Sequence, residues 1–311
     1  MRSVSVQQKW WSIFFGAVLL ASFLLCAVAP FVGWWLPSNV ASFGGEVDTL
    51  YYVILGFTTF FFVLTEVLLV WAMYRYAWRP NHKSDYVEGN HRLELLWTIV
   101  PTGILLFIAI TQINAWERIK YPSKMPDAQL VLQVTARQWD WTLRYPANAE
   151  RFYATKDMPI EEQKRKQAES RHWSETPEID DIYLPDELHC WKDANVRMYL
   201  KTQDVLHSFF LPNLRLKQDA LPGKTIPMWF NATDFNTRFD EQTGKCVLTD
   251  KSKEWEIACA ELCGGGHYRM RGLLYVHETK DDYLKWLKHV RDAQRSREPE
   301  KKAATVAAKD H

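Results

Sequence analysis

Between Cys259 and Met270 the chain reads Cys-Ala-Glu-Leu-Cys-Gly-Gly-Gly-His-Tyr-Arg-Met, placing two thiols (Cys259, Cys263), an imidazole (His267) and a thioether (Met270) on one short stretch. The glycines between Cys263 and His267 let the backbone fold tightly, so that the donors can converge. Soft sulfur beside imidazole favours copper over hard cations. A second histidine, His207 in Asp204-Val-Leu-His207-Ser-Phe-Phe-Leu-Pro212, follows a strand-like run and has no other evident work. Two blander readings stand beside copper. Structural zinc mostly uses Cys-x2-Cys pairs and takes Met poorly, and a Cys259 to Cys263 disulfide would leave Met270 as core.

The rest of the chain must hold these donors in place, and its charges are segregated. No charged residue occurs from Trp10 to Gly45 or from Leu95 to Trp116, and only Glu66 from Thr49 to Tyr74. Each run is long enough for a bilayer-crossing helix. The segment from Arg75 to Arg92 carries Arg75, Arg79, Lys83 and Arg92, whereas that from Pro37 to Asp48 carries Glu46 and Asp48 and no base. By the positive-inside rule the former is cytoplasmic, and everything after Trp116 lies outside. The first span (1–45) reads as an extra transmembrane helix, or as a signal peptide cleaved near Ala27-Val28-Ala29; the length of its uncharged run favours the helix.

Residues 46–118 then form a transmembrane helical hairpin, and 119–278 an outer domain. Gln129 to Thr135, Trp139 to Tyr145, Val196 to Leu200, Ile226 to Ala232, Glu254 to Ala258 and Gly272 to Val276 are short β-branched and aromatic runs bounded by turn residues. They predict a sandwich or small barrel. Two polar insertions interrupt it: 146–195, with an exposed helix supported by Glu161/Arg165 and Glu162/Lys166 pairs, and 234–253, a solvated loop. Thr279 and Asp282 start an amphipathic helix over 279–295, and 296–311 reads as a disordered tail. With 38 basic and 37 acidic residues there is no basic field, which disfavours nucleic acid as a partner.

Five segments, in this order, resemble subunit II of the haem-copper cytochrome c oxidases: Glu94-Leu-Leu-Trp97-Thr-Ile-Val-Pro101, Gln138-Trp139-Asp140-Trp141, Asp204-Val-Leu-His207-Ser, Asp219-Ala-Leu-Pro-Gly223 and the run from Cys259 to Met270. The resemblance implies a membrane-anchored all-β protein, a helical hairpin of two or three helices followed by a cupredoxin-like β-barrel. Its cofactor would be the binuclear copper centre CuA, held by Cys259, Cys263, His207, His267 and Met270. Glu261 would give copper its backbone carbonyl, and its side chain would reach Mg2+ or Mn2+ at the boundary with subunit I. Trp139 would be the aromatic where a c-type cytochrome docks, although the family has Tyr where this chain has Asp140. Glu94 would stand at the mouth of a proton route into subunit I.

The resemblance therefore implies an oxidoreductase subunit in a bacterial inner membrane, with its copper domain in the periplasm. It would pass electrons to haem in subunit I, where oxygen is reduced to water and protons are moved. The alternatives are the CuA subunit of a nitric oxide reductase and a membrane-tethered, copper-carrying cupredoxin. No Cys-x-x-Cys-His occurs, so no haem is expected in this chain. Glu66 has no family role. Cys190 and Cys246, one in each insertion, suit a disulfide joining the insertions, two unrelated thiols, or a minor metal site with His189. The insertions suggest contact with further subunits or a supercomplex partner.

Overall fold

The computed structural model describes residues 2–78, 83, 86, 88–155 and 157–307. Among the described residues three helices are long and apolar enough to cross a membrane: α1 (Arg2–Val28), α2 (Gly44–Arg75) and α3 (His91–Lys120). Their satisfied backbones and lipid-ready side chains, such as Leu64, Ile99, Leu105 and Ile110, all exposed, are what a hydrocarbon solvent demands. Asn90 caps α3, its Oδ1 accepting the N–H groups of Arg92 and Leu93. Glu66 lies in a groove of about 570 Å³ lined by Ser12, Gly16, Val70 and Tyr74, and its Oε2 has no hydrogen-bond partner among the described residues. Arg79 falls outside the described residues.

The chain divides into two units, a helical one up to residue 37 and from 46 to 114, and an outer one of 38–45 and 115 onward. Residues 38–45, counted with the first span on sequence grounds, thus join the outer unit. Val40 N–H donates to Asn213, Ser42 N–H to Asn231, and Thr233 N–H returns to Val40. In the same unit the last turn of α3 is fastened by Lys120, which donates to the Lys217 carbonyl and Gln218, and by Trp229, which donates to the Arg118 carbonyl.

The outer unit contains β1 (Leu130–Arg137), β2 (Asp140–Tyr145), α4 (Ile160–Glu175), β3 (Ile182–Pro185), β4 (Glu187–Trp191), β5 (Asn195–Thr202), β6 (His207–Leu211), β7 (Leu216–Ala220), β8 (Ile226–Asn231), β9 (Thr237–Asp240), β10 (Lys245–Leu248), β11 (Trp255–Cys259), β12 (Arg271–His277) and α5 (Lys280–Ala307). One sheet runs β3-β2-β1-β5-β8; the other runs β10-β9-β12-β11-β6-β7, with β4 also paired to β12. The two form a cupredoxin-like sandwich. Alternation places Leu130, Leu132, Val134, Leu143, Val196, Met198 and Leu200, all buried, on the same face of the first sheet.

The opposite face is buried as well. Val131 joins Ala128, Phe152, Trp173 and Tyr199 in an apolar cluster, so the insertion at 146–195 lies on the sheet as a further layer. Beneath it Arg144, 1% exposed, donates to Asp181 at 2.7 Å, Gln133 at 2.8 Å and the Trp173 carbonyl at 2.6 Å. Asp181 in turn accepts from the Trp173 indole and the Glu178 N–H. The exposed face of α4 carries Glu161 with Lys164 and Glu162 with Arg165, at i,i+3 where i,i+4 pairs were expected.

Two expectations change, and the disulfide drops out of the alternatives for Cys190 and Cys246. Segment 234–253 is not a plain loop, because β9 and β10 form a hairpin turning at Gly244, whose φ is +67°. The helix begun at Lys280 continues past Arg295 to Ala307; the Ala, Glu and Lys that offer no apolar face are good helix formers. Cys190 and Cys246 are free thiols. Cys190 pairs with Val276 and so projects from the opposite face of the sheet to His189, His277 and Cys246.

Replacing Asp181 with Ala strands the Arg144 guanidinium in the interior and should destabilise the outer unit by about 3–5 kcal/mol. The Arg144→Met/Asp181→Leu pair should recover most of that loss. Denaturant unfolding followed by tryptophan fluorescence measures both.

Candidate metal centre

β11 ends at Cys259 and β12 begins after Met270, so the donor-rich run is the connection between two neighbouring antiparallel strands. Cys259 N–H donates to the Met270 carbonyl and closes the base of this connection. A single 3-10 turn over His267–Arg269 brings His267 back towards Cys263. Gly264 takes φ +118°, a backbone state that disfavours any side chain. On the other flank of β11, Cys259 pairs with Phe209 of β6, and His207 opens that strand. The Asp219 motif lies alongside, its carboxylate accepting from the Ser208 hydroxyl at 2.7 Å.

The side chains meet. The sulfurs of Cys259 and Cys263 are 3.8 Å apart, Cys263 Sγ is 3.5 Å from His267 Nδ1, and Met270 Sδ is 3.8 Å from Cys263 Sγ and 3.2 Å from His207 Nδ1. His207 Nδ1 is 4.0 Å from Cys259 Sγ, which also lies 3.3 Å from the Glu261 carbonyl oxygen. The sulfur separation is far beyond the roughly 2.05 Å of a disulfide. Two thiols, two imidazole nitrogens, a thioether and a carbonyl facing one another make a donor set that fits soft or borderline metal. Burial, and then the neighbouring Cys259, push the Cys263 thiol up to about 11, so a cation is what would displace its proton.

Three residues of this site were not singled out as functional from sequence. Asp204 Oδ1 faces Nε2 of His207 at 2.9 Å, leaving Nδ1 toward the sulfurs, the carboxylate–histidine pairing that orients metal-binding imidazoles. Its sequence cues were its position three residues before His207 and its place in a segment that carries the family resemblance. Gln138 donates from its backbone to Asp204 Oδ2 and from its side chain to the Cys263 carbonyl, each at 2.7 Å. Trp141, fully buried, meets His207 edge-on at 6.1 Å and Phe209 at 5.0 Å.

Trp139 is half-buried against the glycine run. Its indole N–H donates to the Cys263 carbonyl at 3.3 Å, and Arg269 lies 5.4 Å from its ring centre. A Cβ on Gly266 would overlap that ring. The expected aromatic thus touches the loop that carries the donors. Asp140 is held by Arg137 at 2.8 Å. The Glu261 side chain is exposed. Glu94 belongs to the helical unit, in the first turn of α3 with His91 at 3.6 Å.

Two family models match the chain: "Cytochrome C oxidase subunit II, transmembrane domain" over residues 23–114 and "Cytochrome C oxidase subunit II, periplasmic domain" over residues 130–275. The chain belongs to the cytochrome c oxidase subunit II family. It is therefore a membrane-anchored subunit of a haem-copper oxidase with a periplasmic domain, from a family that binds CuA. Among curated relatives it is 25% identical to an alternative cytochrome c oxidase subunit 2 of Bradyrhizobium diazoefficiens, over 87% of this chain and 88% of that one. It is 26% identical to a cytochrome c oxidase subunit 2 of Synechocystis, over 81% and 74%. A solved periplasmic domain of subunit II from Bradyrhizobium japonicum aligns with 19% identity over 54% of this chain and 98% of that one, at a TM-score of 0.37.

In this subunit II chain the Asp204→Asn variant keeps the turn but removes the charge behind His207. Metal retention against a competing chelator should fall about 10–100-fold, read as copper per chain after dialysis.

Proposed function

We propose that the chain is the electron-entry subunit of a bacterial cytochrome c oxidase, taking electrons from a periplasmic c-type cytochrome and delivering them to haem in subunit I for reduction of oxygen to water, coupled to proton translocation. The observation that supports this above all is the convergence of Cys259, Cys263, His207, His267 and Met270 with the Glu261 carbonyl. This donor set suits two copper ions better than zinc, which takes thioether poorly. When bound, the CuA pair would supply one-electron chemistry, accepting and returning a single electron.

The chain's own residues then have distinct tasks. Cys259 and Cys263 supply thiolates, His207 and His267 imidazoles, and Met270 a weak sulfur donor. Asp204 fixes the face that His207 presents. Trp141, Phe209 and the closed loop keep water from rearranging around the donors, which keeps the reorganisation accompanying charge transfer small. Trp139, touching the Cys263 carbonyl from the surface side of the loop, is the entry aromatic for the cytochrome. The exposed Glu261 carboxylate is free for Mg2+ or Mn2+ at the subunit I boundary, and Glu94 serves the proton route. The membrane is the bacterial inner membrane, with the copper domain in the periplasm.

Purified full-length chain should hold two coppers and show the purple mixed-valence absorption with its electron paramagnetic resonance signal. A lone zinc or an empty centre would refute the assignment. Trp139→Leu should slow reduction by a c-type cytochrome while leaving that spectrum unchanged. In the assembled oxidase, Glu94→Gln should slow reduction of the oxygen site at fixed copper reduction.

A further inference from the structure

A second convergence of donors lies at the far end of β12. Met270 precedes the first residue of this strand and His277 is its last, so at about 3.3 Å per residue some 20 Å of extended chain separates the two places. His189 of β4, His277 of β12 and Cys246 of β10 each offer a ligand atom within 4.8 Å of the others. The register explains why. His189 pairs with Tyr275 and Trp191 with His277; His277 pairs with Thr237, and Thr237 with Leu248. Period-two alternation then puts His189, His277 and Cys246 on one face of the sheet. Trp286 of α5 covers that face, stacking on His189 at 3.8 Å, and Tyr275 stacks on the same imidazole at 4.6 Å.

The two histidines are buried, at 1% and 0% exposure, and their hydrogen bonding does not close. His189 Nδ1 and His277 Nε2 face each other at 3.2 Å. His277 Nδ1 is 2.7 Å from Asp282 Oδ2, which calls for a proton on Nδ1 and leaves Nε2 a bare acceptor. If His189 gives its proton to that acceptor, its own Nε2 becomes a buried lone pair 3.5 Å from the Glu187 carboxylate. If instead it carries the proton on Nε2, two lone pairs meet at 3.2 Å. With both imidazoles neutral, either placement leaves one buried nitrogen unmatched, and His189 Nε2 has no hydrogen-bond partner among the described residues. A cation between Nδ1 and Nε2 resolves the conflict. A separation of 3.2 Å is close to what two nitrogens have when each lies about 2.0–2.1 Å from a tetrahedral zinc.

We propose that His189, His277 and Cys246 form a zinc site that joins the β9–β10 hairpin to β4 and β12. Both imidazoles then have a carboxylate behind the far nitrogen, Asp282 for His277 and Glu187 for His189, the second layer that such ligands use. Those two carboxylates together with a thiolate favour a doubly charged ion over Cu(I). Cys246 loses its thiol proton to solvent on binding, and its sulfur closes to bonding distance. Cys246 and His189 come from the two polar insertions, so the metal would fasten those two segments to each other and to β12. The site shares no residue with the copper centre and does not depend on the respiratory reading.

The test is elemental analysis of the purified full-length chain after equilibration with micromolar zinc and gel filtration, alongside Cys246→Ser and His189→Gln. The expected result is one zinc per wild-type chain in addition to copper, with zinc falling to roughly a fifth or less in both variants while copper content and the visible spectrum stay unchanged. Zinc-edge absorption should show one sulfur at about 2.3 Å with nitrogen or oxygen neighbours at about 2.0 Å. Wild-type chain free of zinc, variants that retain it, or a third copper in its place would each overturn the assignment. The wild-type measurement decides even if a variant fails to fold.

Discussion

The Asp204 carboxylate accepts the Val205 N–H and faces Nε2 of His207 with one oxygen, and accepts the Gln138 N–H with the other. Gln138 passes the constraint on, its side-chain amide gripping the Cys263 carbonyl. One carboxylate thus links the turn between β1 and β2, the loop before β6 and the connection between β11 and β12. An imidazole and a thiol from separate parts of the chain come into register through it. The donors cannot be preorganised by their own loop alone, since three of its residues are glycines. Charge-assisted bonds of this kind are shorter and stronger than neutral ones, which suits a site whose geometry must not change with its charge.

What could be read from the amino-acid order depends on how locally each feature is encoded. The membrane spans were plain because lipid requires consecutive apolar residues. Cys259, Cys263, His267 and Met270 were plain because they share one connection, and His207 because it heads a strand with nothing else to explain it. The position of Trp139 followed from family likeness, while its contact with Gly266 needed the fold. The hairpin of β9 and β10 was illegible for a physical reason: Thr237–Asp240 and Lys245–Leu248 are only four residues each, and the place of β9 in the sheet rests on a pairing with His277 far along the chain. A metal site with His189 was one alternative for the two insertion cysteines, but that Cys246 and His277 meet it while Cys190 faces the other way needed the register. Asp204 was visible as a residue but not as an orienting group, since only the structure shows where its two oxygens point.

The polar insertion at 146–195 was read as carrying an exposed helix, and that helix does carry charge outward. Its other side is different. Trp173 and Phe152 are buried, and Arg144 donates to Gln133, Asp181 and the carbonyls of Trp173 and Thr176. A buried guanidinium of this sort is weak evidence of added stability, yet it admits one seating of the helix, because any other would leave the charge unmatched.

The layering has an evolutionary corollary. β1 is buried on both faces, so Val131, Gln133 and Thr135, which an ordinary two-layer sandwich would turn to water, here lie under a cover together with Arg144 and Tyr199. Loss of the cover in a descendant would expose these positions at once, and they would have to drift together toward water-compatible residues. The character of these scattered sites therefore forms a sequence signature by which relatives that keep the extra layer can be sorted from those without it.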